Sequence, residues 1–113
     1  RHIYFRPVKL KNDGRALALT EYGGYILAVD GHRWTDKMFG YRICRDSAAL
    51  AHDYEKLMLG QVLPHIRKEG LTAAVYTQIT DVEEELNGLM TYDREVLKIP
   101  EETLREINKQ LKF

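Results

Sequence analysis

Cysteine occurs once in 113 residues, at Cys44, so an internal disulfide is excluded and the thiol's natural place is a small, semi-buried packing position. Net charge is missing too. Lys and Arg together number 17 and Asp and Glu also 17, so no field of one sign draws nucleic acid or an anionic membrane surface, and neither is expected as a partner. No apolar run approaches the roughly 20 residues that a bilayer span requires. Repeats, low-complexity tracts and flexible linkers are absent as well, which leaves one domain at most, with a modest core. The chain opens at Arg1 with neither an initiator Met nor a signal-like apolar segment. The expectation is a piece of something longer, and its compartment, cytoplasmic or periplasmic, stays open.

What the chain does have is an apolar run, Ala16, Leu17, Ala18 and Leu19, that leads directly into Thr20, Glu21, Tyr22, Gly23 and Gly24. Small and branched apolar residues with Gly14 before and Gly23 after predict a strand buried on both faces. A carboxylate where such a strand leaves the core is partly desolvated, an expensive placement unless it is used. Two glycines then let the backbone turn sharply and approach a ligand closely. The carboxyl end of a strand is where parallel sheets and barrels place their chemistry. A solvated glutamate in an ordinary turn would fit the same spacing.

The spacing further predicts a strand at residues 15–21, a long ordered loop at 22–44 and a helix at 46–68. A strand at 71–79, an acidic loop at 80–98 and a helix at 100–112 follow. The 22–44 loop carries Trp34, Phe39 and Gly40 without a sustained period. Asp46 or Ser47 suits a helix N-cap, and Leu50, Tyr54, Leu57, Met58, Gln61, Val62 and Ile66 recur at a helical period. Pro64 should kink that helix or end it early, with Gly70 as its stop. Pro100, Glu101 and Glu102 suit the first turn of the last helix, whose buried stripe is Leu104, Ile107 and Leu111. Strand, helical crossover and strand make a parallel βαβ unit, and two strands alone leave both sheet edges open. The fold class is therefore α/β, of a size for two βα units of a (β/α)8 barrel, which in full takes around 250 residues.

Three segments, residues 15–25 (RALALTEYGGY), 73–83 (AAVYTQITDVE) and 87–94 (NGLMTYDR), taken in order, resemble glycoside hydrolase family two, the β-galactosidase and β-glucuronidase family, in its bacterial β-galactosidase branch. The resemblance covers essentially the whole chain and implies the last two βα units of a TIM barrel. It also implies a retaining mechanism with two glutamates, the acid/base after the fourth strand and the nucleophile after the seventh. Glu21 falls on the nucleophile position. Nothing matches the Asn-Glu pair that carries the acid/base, so the implied partners are a carbohydrate substrate and the rest of the catalytic barrel. No cofactor is implied. The isolated chain should be inactive and should self-associate through its open edges or inner face.

Trp34, with His32 and Arg33 nearby, could wall the sugar subsite, or Trp34 could simply anchor its loop on the barrel rim. Many members of the family carry a Trp at the end of the eighth strand. Here that region reads Tyr76, Thr77, Gln78, so Tyr76 either takes the Trp's place beside Gln78 or packs in the barrel wall. Asp81, Glu83, Glu84 and Glu85 invite comparison with a calcium loop. With Gly88 as its sixth position, the twelfth falls on Arg94 instead of Glu, which favours a solvated loop with no metal. Tyr92, Asp93 and Arg94 are expected to fix that loop by a local ion pair. His2, His32, His52 and His65 lack metal-ligand spacing, and His52 and His65 should face solvent or an interface. A reading of another class remains beside the glycosidase: a small non-enzymatic α/β module that binds a partner along its open strand edge or its Trp34 loop.

Overall fold

The computed structural model describes residues 2–3, 9–11, 13–37 and 42–113. Phe39 and Gly40 lie outside the described residues, as does the side chain of His2. Three strands, β1 (His2–Ile3), β2 (Leu17–Gly23) and β5 (Leu71–Thr77), form one sheet in the order β1-β2-β5, with every pairing parallel. A second, two-stranded parallel sheet pairs β3 (Tyr25–Ile26) with β4 (Arg42–Ile43). The helices are α1 (Ser47–Leu57), α2 (Leu63–Glu69) and α3 (Glu101–Asn108). The result is a small mixed α/β domain built on parallel strands.

The main sheet is covered on one face, not on both as its apolar run suggests. Leu19 and Tyr22 of β2 are buried and belong to one core with Leu50, Tyr54 and Leu57 of α1, whereas Ala18 and Thr20 are exposed. On β5, Ala74 and Tyr76 pack against that same core, while Val75 is 57% exposed. Leu19 and Tyr22 are three residues apart, an odd spacing that would normally put them on opposite faces. The pairing with β5 resolves this. Leu19 aligns with Ala74 and Tyr22 with Tyr76, so two residues of β2 oppose one of β5 and the strand bulges at Thr20 and Glu21.

The first helix begins where its cap chemistry puts it, with the Asp46 carboxylate accepting from Ala49 N–H at 2.8 Å. Pro64 neither ends the helix nor stands at its break. Residues Met58–Val62 wind as a π turn, in which Leu63 N–H reaches Met58 O, and Pro64 then falls in the first turn of α2, where its missing N–H costs least. The wider turn buries Met58 and Val62, and Tyr22 Oη donates to Met58 Sδ at 3.4 Å. Gly70 closes α2 in the left-handed region, at φ 69°.

Other boundaries shift as well, and the strand expected at 15–21 runs Leu17–Gly23. The stretch expected to be a loop at 22–44 contains β3 and β4, because Tyr25 and Ile26 are buried and their backbone groups need partners; Cys44 N–H extends the pairing to Ile26 O at 2.7 Å. Strand β5 stops at Thr77, since Gln78 turns its N–H to Asn87 O and its C=O to Leu89 N–H. Helix α3 stops at Asn108, beyond which Gln110 and Leu111 bond three residues back, and Tyr54 Oη donates to Asn108 Oδ1 at 2.6 Å to tie α3 to α1. Of the helical histidines, His52 is exposed and His65 is half-buried beside Glu69, 3.0 Å away.

Candidate functional site

Glu21 sits on the middle strand of the main sheet, inside the bulge and two residues before β2 ends at Gly23. Its side chain is half-buried, and its backbone lies in register with His2 of β1. A bulge re-aims the side chains it contains and is common beside active sites. Gly23 and Gly24 follow with φ of 99° and 76°, so the chain does turn here as only glycine permits without strain. The close approach that Gly23 allows, however, is internal. A Cβ at this position would stand 2.5 Å from the Tyr76 ring, so the space is taken by that ring and not by a ligand.

Two long loops leave the carboxyl ends of β2 and β5 and clasp one another. Gly24 N–H donates to Thr77 O, and Leu27 N–H to Leu86 O. Further out, His32 Nδ1 lies 2.8 Å from Asp93 Oδ2, and Trp34 meets Tyr92 edge to face with ring centres 5.8 Å apart. Trp34 nevertheless remains 62% exposed, and Arg33 pairs locally with Asp36 at 3.2 Å. In place of the ion pair expected within Tyr92, Asp93 and Arg94, the described residues show a longer-range hydrogen bond. Asp93 takes His32 as its partner across the two loops, together with Thr91 Oγ1 and Glu95 N–H.

Tyr76 packs against the core. Its ring packs edge-on against Tyr22 at 5.7 Å and Tyr54 at 5.3 Å, on the helix-covered side of the sheet, and burial raises its phenol pKa far above the ordinary value. Gln78 spends its amide on the loop itself, donating through Nε2 to Asn87 Oδ1 at 2.6 Å. Each of His32, Trp34, Tyr76 and Gln78 thus engages a partner other than Glu21, and the structure unites them as loop and core contacts around the strand ends.

The acidic loop is not uniformly solvated. Glu83, Glu84 and Glu85 are exposed, but Asp81 is buried against Lys98, with side-chain exposures of 1% and 0%. Lys98 Nζ donates to Asp81 Oδ1 at 2.7 Å, Leu27 O at 2.7 Å and Leu86 O at 3.0 Å, which uses all three of its hydrogens. Gly88 N–H donates to the same Asp81 oxygen at 2.8 Å, and a side chain on Gly88 would collide with the Asp81 backbone. Burial pushes the Asp81 carboxyl up and the Lys98 ammonium down, each against the opposing pull of its partner. This pair nails the post-β5 loop to the post-β2 loop. Its one sequence signal is a lysine set between Leu97 and Ile99, a position where a cation must either snorkel or find a buried partner.

Chemically, the arrangement offers one half-buried carboxylate at a strand end and, on the adjoining loops, an exposed indole with an imidazole held by a carboxylate. Among the described residues no group of three or more His, Cys, Asp and Glu is placed to hold a metal ion, and no helix is long and apolar enough to cross a membrane. Neither the protein-family models nor the curated proteins compared with this chain give a match.

The loop junction carries its own pH signature. Hydrogen bonds from Thr91, and then from His32, depress the Asp93 carboxyl from 3.8 to about 2. A depressed carboxylate contributes stability that is present above its unfolded value and is lost as pH falls through the folded one. Trp34, the one tryptophan, reports on this junction through its contact with Tyr92. Its fluorescence should therefore hold steady down to pH 4 and change with a midpoint near pH 2. A midpoint at or above pH 4 would mean that Asp93 gains nothing from the clasp.

Proposed function

We propose that this chain forms the last two βα units of the catalytic barrel of a retaining β-glycosidase of family two, with Glu21 as the nucleophile acting on terminal O-glycosidic bonds. The observation that carries the reading is the position of Glu21: in a bulge on the central strand of a parallel sheet, at the end from which both long loops emerge. A strand order that follows chain order suits a barrel, in which successive strands lie side by side. The uncovered sheet face, with Ala18, Thr20 and Val75 exposed, suits the side that the remaining strands of a barrel would close over.

The chemistry assigns the parts. A retaining glycosidase holds two carboxyl groups about 5–5.5 Å apart, so that one attacks the anomeric carbon while the other protonates the leaving oxygen. Glu21 would attack, form the glycosyl-enzyme ester and later release it to water. The acid/base would come from a strand upstream. His32 and Trp34 would border the sugar from the loop after β2, the indole against the apolar face of the pyranose and the imidazole toward its hydroxyls. With only one of the two carboxylates, the 113-residue chain by itself would perform neither half-reaction.

Hydrolysis of a panel of aryl glycosides by the full-length protein tests the reading. The expected result is turnover of a β-galactoside or β-glucuronide with retained configuration, and none by the 113-residue chain. Turnover by the rigorously purified chain alone would refute the division of labour. The exposed Trp34 also fits a non-enzymatic module whose partner docks on that loop, and this second reading expects no turnover of any glycoside.

A further inference from the structure

The clasp between the two loops is a directed chain of hydrogen bonds. Thr91 Oγ1 donates to Asp93 Oδ1 at 2.5 Å, Glu95 N–H donates to the same oxygen at 3.1 Å, and Asp93 Oδ2 lies 2.8 Å from His32 Nδ1. Thr91 is fully buried, so the carboxylate is held from a rigid point. An ionised carboxylate only accepts hydrogen bonds, and the contact therefore requires the hydrogen of His32 to sit on Nδ1. In the neutral ring that leaves Nε2 with a lone pair. The His32 side chain is 36% exposed, and among the described residues Nε2 has no hydrogen-bond partner. An acceptor of fixed direction thus stands two residues from Trp34, whose indole is exposed and braced by Tyr92.

We propose that Asp93 is a positioning residue: it orients His32 and holds its hydrogen on Nδ1, so that Nε2 accepts a hydrogen bond from a hydroxyl of the sugar resting against Trp34. The inference rests on the glycosidase reading and adds to it a residue from the other loop, 61 positions away in sequence. The chemistry is that of saccharide recognition, in which an aromatic face takes the C–H side of the ring and a directional acceptor reads a hydroxyl at its rim. Without the carboxylate the imidazole could rotate or exchange tautomers and present a donor to the same hydroxyl. Binding would then weaken while the reacting carboxylates stayed in place.

The test uses the full-length protein, with nitrogen-15 spectra of the histidine rings taken where His32 is neutral and with steady-state kinetics on the best aryl glycoside. Wild type should show hydrogen on Nδ1 and a bare Nε2. Asp93→Asn keeps the side-chain shape but can either accept or donate, and should give a mixture of tautomers. Asp93→Leu should raise KM about tenfold, the cost of one directed hydrogen bond, with kcat changed less than about twofold. If Asp93→Leu does not fold, the Asn variant decides, through its tautomer mixture and a KM shift in the same direction. A purely structural Asp93 would lower the amount of folded enzyme and leave KM alone. Hydrogen on Nε2 in wild type, or an unchanged KM in an active enzyme, overturns the positioning role and leaves the glycosidase reading standing. A wild-type protein that turns over no glycoside removes that reading, and the positioning role with it.

Discussion

Replacing Lys98 with methionine should cost about 3–5 kcal/mol, the range for breaking a fully buried ion pair from one side. Small domains have only about 5–15 kcal/mol in total, so this loss is a large share of what holds the fold. The loss has two parts. Asp81 would keep its charge, or take up a proton, in a site with 1% exposure, and the Leu27 carbonyl would lose the Lys98 donor while Leu86 O would keep only Leu27 N–H. Most of the penalty comes from the stranded carboxylate, so Asp81→Asn combined with Lys98→Met should recover part of it, with a coupling of about 1–3 kcal/mol. Urea midpoints of wild type, the two single variants and the double variant measure this directly. A Lys98→Met loss below about 1 kcal/mol would show that the pair does not hold the two loops together.

On the glycosidase reading, replacing Glu21 with glutamine in the full-length protein should lower glycoside turnover by several orders of magnitude and leave the fold intact. The amide keeps the size of the carboxylate but cannot attack the anomeric carbon to form the ester. The bulge at Thr20 and Glu21 and the pairing with His2 are backbone features and do not depend on that charge. Glu83→Gln, on the exposed loop, serves as the control and should leave turnover unchanged. Turnover of Glu21→Gln within tenfold of wild type would remove Glu21 from the nucleophile role.

The elements that could be read in advance are those governed by local chemistry. Asp46 caps its own helix, Gly70 ends another with its own backbone angle, and the apolar stretches of β2 and β5 declare themselves by composition. What could not be read depends on a partner distant in the chain. The bulge that re-aims Glu21 exists only in the register against β5, and two-residue strands such as β3 and β4 are too short to show a period. The contact made from the π turn is also distant, since Met58 accepts from the phenol of Tyr22, 36 residues before it. Asp81 looks like one more solvated acid beside Glu83, Glu84 and Glu85 until Lys98 is placed against it. The site divides in the same way. Glu21, His32 and Trp34 stand out as residue types, whereas Asp93 becomes visible only once the two loops meet.

The assignment of Glu21 is tested most directly by trapping the covalent intermediate. A 2-deoxy-2-fluoro β-glycoside carrying a good leaving group slows both steps and allows the glycosyl-enzyme ester to accumulate. After treatment of the full-length protein, peptide mapping by mass spectrometry should find the fluorosugar on the peptide that contains Glu21, at that side chain. Glu21→Gln should remain unlabelled. Labelling of Glu83, Glu84, Glu85 or any other carboxylate in its place would contradict the account.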